Sequence, residues 1–365
     1  MGVLPALAEV ERDRDINSKT AILPGLFFGV FSWLNIVIVW FLALKLGADE
    51  TEALFAAFLM ATSSALFYYS SHLLPYDLAM TFGLLALYVG MEGKAKIGQS
   101  IATGALGFLC FFSYNGYWSL AALAFTIHVF TPLELNFRLI LKSVFTGLGF
   151  LTPFILLLWG STLFGNDLWK HYVAFSNTIT NGTFSEGAIV PFKYFWVTEH
   201  FTLIVWLVLF SFAMMTLFRM QPKRLLIGLI GIAFIYLCLS VSSVLLQKFV
   251  VYGRLARQLI LFLALIGAYS LRRIENHMPM GKVSVALVLC ILVLQAGVNF
   301  WKPLHFVYPE EFSREAQARF PDFRPPKNMT YFYSPHVRMW GPTRRILCNL
   351  FTLFPKTRYP LKERL

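Results

Sequence analysis

Apolar runs of about 20 residues recur from residue 22 to residue 300, and they restrict the folds that this chain can adopt. One helix needs about 20 apolar residues to cross a bilayer core, within a range of roughly 17–25. The runs cover residues 22–44, 53–91, 101–133, 143–164, 201–218, 225–246, 255–271 and 283–300. Short polar interruptions divide the second and third runs into two spans each. The pattern predicts an all-α, polytopic integral membrane protein with about ten transmembrane helices.

The composition supports a membrane protein, since 57% of the residues are hydrophobic and only 14% are charged. A soluble domain carries roughly 25% charged residues, so a soluble enzyme, a disordered chain and a coiled coil are all excluded. We expect an outer N-terminal segment (1–21), a transmembrane domain (22–300) with an outer loop at 165–200, and a basic outer C-terminal tail (301–365). The four cysteines show no zinc or disulfide spacing.

Lysine and arginine are equally numerous in the two sets of loops, so their distribution has to decide the orientation. The first face, which holds the loops that follow residues 44, 91, 133, 218 and 271, has basic residues in every loop. The second face has them in the chain termini, the long loop and one cluster, and none in its two tight turns. We therefore expect a cytoplasmic first face and an outer second face, in the plasma (inner) membrane or, in a eukaryote, the ER membrane.

The net charge of +12 points to anionic partners, and a cluster of cations on the second face gives them a location. Arg254 and Arg257 share one face if this segment is helical, with Lys248 and Tyr252 nearby. Arginine binds phosphate oxygens in two-point fashion, and lysine adds a point charge. Lipid headgroups or lipid-linked phosphates are better partners than nucleic acid, because no nucleic-acid motif is present. The alternative is that these side chains only reach for the membrane interface.

An acidic residue, Asp77, ends the interruption at 72–77, which also contains His72 and Tyr76. An ionisable group beside a membrane span is costly and indicates function. The alternative is that Asp77 caps the helix that begins after Pro75. One residue can do both.

The outer loop at 165–200 has aromatic ends that resemble helices lying on the membrane, and its middle, 177–187, is typical of a mobile loop. Several of its polar side chains could act as acid, base or ligand, although an interfacial polar residue is the favoured interpretation for each. They are Asp167, Lys170, His171, Glu186, Glu199 and His200.

Four stretches resemble the GT-C membrane glycosyltransferases, in the branch of the protein O-mannosyltransferases and the bacterial transferases that add aminoarabinose to lipid A. They are residues 44–59 (LKLGADETEALFAAFL), 68–77 (YYSSHLLPYD), 251–263 (VYGRLARQLILFL) and 345–355 (RILCNLFTLFP). In order and spacing the likeness covers most of residues 20–300.

The resemblance implies transfer of a sugar from a polyprenyl-phosphate donor to a lipid, protein or polysaccharide acceptor at the outer face. Lys248, Arg254 and Arg257 would hold the donor phosphate and stabilise the leaving group. Asp77 would position the acceptor or assist a proton transfer, and the loop would close over the reaction. Metal use varies across the class, so a divalent metal remains open and no cofactor is assigned.

The chain departs from this family at its N-terminus, where no span precedes residue 22. It resembles a family member whose sequence starts partway through the first outer loop. In the family, that loop carries a catalytic acid. Glu9, Glu11, Asp13 and Asp15 are candidates for that acid, or they form a solvated charged surface. Two alternatives to the enzyme stay open: a transporter or flippase of a lipid-linked or anionic substrate, and a non-catalytic GT-C-like membrane subunit.

Overall fold

The computed structural model describes most of the chain between residues 22 and 304. The described residues are 22–66, 75–91, 96–131, 137–165, 167–170, 173, 189–199, 201–217, 223–241 and 253–304. Residues Phe28–Val298 form one compact unit, and Met1–Phe27 with Asn299–Leu365 form another. Of the second unit, only the helical residues 22–27 and 299–304 are described.

The described residues are mainly helical and contain no strand, which confirms the predicted all-α class. Twelve α-helices have both ends among the described residues. In chain order they are α1 (Ile22–Lys45), α2 (Glu50–Thr62), α3 (Tyr76–Gly90), α4 (Ile97–Ser113), α5 (Trp118–Phe130), α6 (Phe137–Leu163), α7 (Val190–Glu199), α8 (Phe201–Leu217), α9 (Lys223–Tyr236), α10 (Gly253–Ala256), α11 (Gln258–His277) and α12 (Gly281–Leu304). A 3-10 turn (Asn115–Tyr117) precedes α5, and a π turn (Leu237–Val241) follows α9.

Three described stretches are long and apolar enough to cross a membrane: Phe137–Leu163, Lys223–Ser240 and Gly281–Val298. Shorter apolar helices lie in α1, α3, α4 and α8. Large apolar side chains cover the outside of the longer helices, such as Trp159 on α6 and Leu294 on α12, which are 63% and 69% exposed. Exposing an apolar surface of this extent to water is unfavourable, so these helices indicate a membrane protein.

Helix α11 lies at the centre of the compact unit, where it packs against α2, α8 and α9. Buried residues run along it from Gln258 to Leu271. Two glycines of α9, Gly228 and Gly231, face the side chains of Ile266 and Phe262 so closely that an added methyl group would collide with them. Small residues of this kind let apolar helices approach each other without a gap.

The two tight turns predicted inside the long apolar runs have different outcomes. The turn at 113–117 is confirmed: Tyr114 is extended, and the chain reverses through the 3-10 turn into α5. The span expected from residue 53 to the interruption at 72–77 contains a break, because α2 ends at Thr62 and Ser63 is extended before the helix resumes at 64–66. The rest of that span, with residues 72–74 of the interruption, lies outside the described residues. The Ser63 hydroxyl and the backbone amides of Ser64 and Ala65 bind a distant glutamate, which supplies acceptors for these amides at the break.

Helix α6 begins earlier than the sequence predicts. It starts at Phe137 instead of 143, so that Arg138 and Lys142 belong to the helix and not to the preceding loop. Lys142 is buried, and its ammonium group donates to Thr131 O at 2.7 Å and His128 O at 3.4 Å. Those carbonyls lie at the C-terminal end of α5, where helical carbonyls lack internal partners and attract a cation.

Candidate functional site

Asp77 and Arg257 form a buried ion pair between α3 and the junction of α10 with α11. Arg257 Nη2 lies 2.5 Å from Asp77 Oδ1, and the two side chains are 0% and 4% exposed. The second carboxylate oxygen accepts a hydrogen bond from Ser32 Oγ of α1 at 2.8 Å. The same arginine nitrogen donates to Leu66 O at 3.2 Å. Asp77 thus receives donors from two other parts of the bundle.

Asp77 does not act as the helix cap that the sequence offered as one interpretation. The cap position belongs to Pro75, which makes no side-chain capping bond, and the Asp77 carboxylate points to Ser32 and Arg257. The acid is nevertheless in the first turn of α3, where the helix dipole favours a negative charge.

Asn35 and Thr81 fix the backbone of Asp77 against α1. Asn35 Nδ2 donates to Asp77 O at 3.1 Å, and Thr81 Oγ1 lies 2.8 Å from both Asn35 Oδ1 and Asp77 O. All three residues are buried. These bonds hold the carboxylate at one position relative to α1. A group that has to meet a reacting atom needs such a fixed position.

Three tyrosines pack beside the ion pair at the second face. The rings of Tyr76 and Tyr114 meet edge to face at 4.6 Å, and Tyr114 meets Tyr117 in the same way at 5.8 Å. Tyr117 is fully buried, and its hydroxyl has no hydrogen-bond partner among the described residues. The charges of Asp77 and Arg257 are close enough to interact with this hydroxyl. An unbonded hydroxyl beside an ion pair is a donor that a bound ligand could use.

Gln258 connects the arginine segment to the confirmed turn. Its amide nitrogen donates to Gly116 O at 3.2 Å and Leu255 O at 3.1 Å, and its oxygen accepts from Ser119 Oγ at 3.0 Å. A methyl group at Gly116 would collide with the Leu255 side chain, so this close approach needs glycine. Arg257 is therefore held by the residue that follows it.

Glu199 is a second buried acid, which the sequence singles out only as one of six polar residues of the outer loop. It accepts from Ser63 Oγ (2.6 Å), Ala65 N (2.9 Å), Ser64 N (3.2 Å) and Thr202 Oγ1 (2.9 Å). Among the described residues no basic side chain contacts it. These four donors supply partners for both carboxyl oxygens, so the buried acid needs no cation beside it. The signal in the sequence was the Ser-Ser pair at 63–64, which interrupts an apolar run.

The two buried acids are connected through residues 63–66. Glu199 holds this segment at Ser63 and Ala65, and the next carbonyl, Leu66 O, accepts from Arg257. A change at Glu199 would therefore reach Arg257 through one short piece of backbone.

The remaining candidate residues are described only in part. Tyr76 is buried, and Lys170 is exposed in a short turn that Asp167 caps through a 2.9 Å bond to the Lys170 amide. Arg254 lies in α10, but its side chain is outside the described residues. Also outside them are Glu9, Glu11, Asp13, His72, His171, Lys248 and Tyr252. No three His, Cys, Asp or Glu side chains gather as a metal site within the described ranges.

The first face carries a second group of ion pairs, whose side chains are more exposed except for the buried Glu52. Arg272 binds Asp49 at 2.7 Å and Glu275 at 2.6 Å, and Arg224 pairs with Glu52. Partial burial opposes ionisation of Asp49, but the Glu52 amide and Arg272 outweigh it and hold the pKa of Asp49 below its ordinary value. These contacts join α2, α9 and α11 at their first-face ends.

Comparison with known proteins finds no match: no family model, no curated protein and no solved structure matches this chain. A functional proposal therefore depends on the quoted motifs and on the side-chain geometry described above.

Proposed function

We propose that the chain is a multi-pass membrane glycosyltransferase, with about ten transmembrane helices, that moves a sugar from a polyprenyl phosphate to an acceptor at the second, outer face. The observation that carries the proposal is the buried Asp77–Arg257 pair at that end of the bundle. Ionisable groups inside a membrane domain are costly and are retained mainly where they act.

The transfer needs a base, a phosphate site and a means of holding both. The acceptor hydroxyl oxygen attacks the anomeric carbon of the sugar. The bond between that carbon and the donor phosphate oxygen breaks. Polyprenyl phosphate leaves with the electron pair, and the hydroxyl proton passes to a carboxylate. We assign the last task to Asp77, whose oxygens are already oriented by Ser32 and Arg257.

Arg257 receives a different role from the one that the family resemblance implies. Its guanidinium group is fully buried and bonded to Asp77 and Leu66 O, so it orients the carboxylate. Lys248 and Arg254 then remain as the residues that hold the donor phosphate and stabilise its charge. Arg254 lies three residues before Arg257, so a phosphate held by Arg254 would be close to Asp77.

Activity is tested with the purified full chain, a panel of radiolabelled polyprenyl-phosphate-linked sugars, and membranes of the expressing cell as the acceptor. We expect wild-type protein to form a glycosylated product from one donor. Asp77→Asn should lower the rate by about 10²- to 10⁴-fold, which is the usual contribution of a positioned base. Arg254→Ala should abolish transfer, and Lys223→Ala, an exposed first-face cation, should leave it unchanged.

A double variant separates catalysis from folding. Asp77→Asn alone leaves Arg257 charged and unpaired, whereas Asp77→Asn/Arg257→Gln replaces the pair by two neutral side chains that still bond. The double variant should insert and remain inactive. Transfer at the wild-type rate by Asp77→Asn or Arg254→Ala, in protein that inserts normally, would remove the catalytic assignment.

A non-catalytic membrane subunit is the second candidate, and the two bonds that Arg257 Nη2 makes to protein groups, Asp77 and Leu66 O, favour it. In that case the pair would only hold α3 against α11, and the protein would transfer no sugar from any donor. It would instead copurify with an active transferase, whose activity would fall when the pair is lost.

A further inference from the structure

A cavity of about 350 Å³ lies between α4, α5 and α6, and neither Asp77 nor Arg257 belongs to its wall. Its volume is in the range of ligand pockets, which is roughly 300–1,000 Å³. Phe111, Phe125 and Phe150 on its wall are only half-buried, so the cavity opens at the surface of the helix bundle. It is lined by Thr103, Gly104, Gly107, Phe111, Trp118, Ala121, Ala122, Phe125, Thr126, Thr146 and Phe150.

Glycine and alanine create the space, and the aromatic rings make it apolar. A methyl group built on Gly107 would make only ordinary contacts, at 3.8 Å from Ala121 Cβ and 3.9 Å from the Phe150 ring. The cavity therefore has room beyond this position. Water does not occupy an apolar space of this kind, but a hydrocarbon chain does.

One polar group in the wall has no partner. Thr126 Oγ1 and Thr146 Oγ1 bond to carbonyls of their own helices, Ala122 O at 2.8 Å and Lys142 O at 2.7 Å. Thr103 is 2% exposed, and its hydroxyl has no hydrogen-bond partner in the described part of the chain. A buried hydroxyl without a partner is costly, so a ligand that offers an acceptor oxygen here would gain affinity.

Thr103 lies near the first face, although it is inside α4. A methyl group on Gly90, the last residue of α3, would be 3.1 Å from His128 Cβ and 3.4 Å from Thr103 Cγ2. Thr103 is thus level with the ends of α3 and α5, and α4 extends past them by about 9 Å. We take the ends of α3 and α5 as the edge of the hydrocarbon core, where acyl chains meet their ester groups.

We propose that the cavity binds an acyl chain of an anionic phospholipid, with an ester carbonyl accepting from Thr103. The chain would lie along Gly107 between the aromatic rings. Exposed cations, Lys96 at the start of α4 and Arg138 in the first turn of α6, stand on the first-face side of Thr103, where a lipid phosphate would lie. Basic residues near the membrane surface attract anionic lipids. This lipid site does not depend on the glycosyltransferase proposal.

The site is tested with phosphatidylglycerol that carries a photoactivatable group near the ester of one acyl chain. The full chain is reconstituted in phosphatidylcholine nanodiscs with this probe, irradiated, digested and mapped by mass spectrometry. We expect the label to concentrate on peptides of α4, α5 and α6. Labelling spread evenly over the apolar helices would be that of bulk lipid and would overturn the proposal.

Two matched pairs of variants decide the contacts. Gly107→Leu fills the cavity and should abolish the concentrated label, while Gly98→Leu, on the same helix but with nothing within 4 Å, should keep it. Thr103→Val retains the shape and removes one hydrogen bond, so labelling should fall about 2- to 10-fold. Labelling should fall less in Thr126→Val, because the Thr126 hydroxyl is already bonded within α5.

Unchanged labelling in Thr103→Val would overturn the assigned contact, even if Gly107→Leu fails to fold. The same probe built on phosphatidylcholine tests the headgroup. Weaker labelling by phosphatidylcholine supports the anionic lipid, and equal labelling by both probes would overturn it.

Discussion

The two ends of the helix bundle contain ion pairs of similar length in opposite surroundings. At the second face, Arg257 and Asp77 are 2.5 Å apart and at most 4% exposed. At the first face, Arg272 and Asp49 are 2.7 Å apart, but 26% and 49% exposed. The distances hardly differ, so burial determines what each pair contributes. A buried pair is costly to break, and an exposed pair contributes little.

The largest effect is expected from breaking the buried pair on one side. Arg257→Met leaves the Asp77 charge buried, and Ser32 Oγ is then the only described donor to its carboxylate, which should cost about 3–5 kcal/mol of unfolding free energy. Unfolding in mixed detergent micelles measures the loss. Asp77→Asn/Arg257→Met, which carries no charge, should recover most of it. If Arg257→Met is as stable as wild type, burial does not determine how much this ion pair contributes to stability.

Glu199 sharpens the comparison, because it is a buried acid held by neutral donors instead of an arginine. Glu199→Gln turns an NH₂ group toward some of the donors from Ser63, Ser64, Ala65 and Thr202, and should cost about 1–3 kcal/mol. The matched control is Glu50→Gln, an exposed residue of the first turn of α2. Equal effects of the two substitutions in the same unfolding assay would contradict a role for burial.

These two acids also show what the sequence could and could not predict. Asp77 stood out because its charge lies next to an apolar run, and the turn at 113–117 because Asn and Gly interrupt another. The partner of Asp77 lies 180 residues away, and that of Glu199 136 residues away, and no local pattern specifies such contacts. The same contact lies at the break after α2, where the backbone amides of Ser64 and Ala65 donate to Glu199.

A smaller effect is expected at the exposed pair. Arg272→Met removes its contacts with Asp49 and Glu275, and should cost about 0.2–1 kcal/mol because water already solvates both partners. The difference between variant and wild type should shrink further in 1 M salt, where the Debye length is about 3 Å. A loss as large as that of Arg257→Met would show that exposure is not the deciding variable.

The smallest effect is a pH dependence at Asp49. Its folded pKa is lowered, so its contribution to stability is complete above the unfolded value of about 3.9 and is lost as the pH falls through the folded value. Asp49→Asn retains a good helix cap. The stability difference between wild type and Asp49→Asn should therefore be constant near neutral pH and decrease in acid. If this stability difference grows in acid instead, the pKa of Asp49 is raised on folding and not lowered.

The separation of Asp77 from Arg257 along the chain has a consequence for biosynthesis. At 5–20 residues per second, a ribosome needs about 10–40 s to make the 180 residues between them. During that time a newly inserted α3 would contain an acid without its arginine. Ser32 precedes Asp77 by only 45 residues and is already present, so α1 can solvate the carboxylate until the arginine arrives.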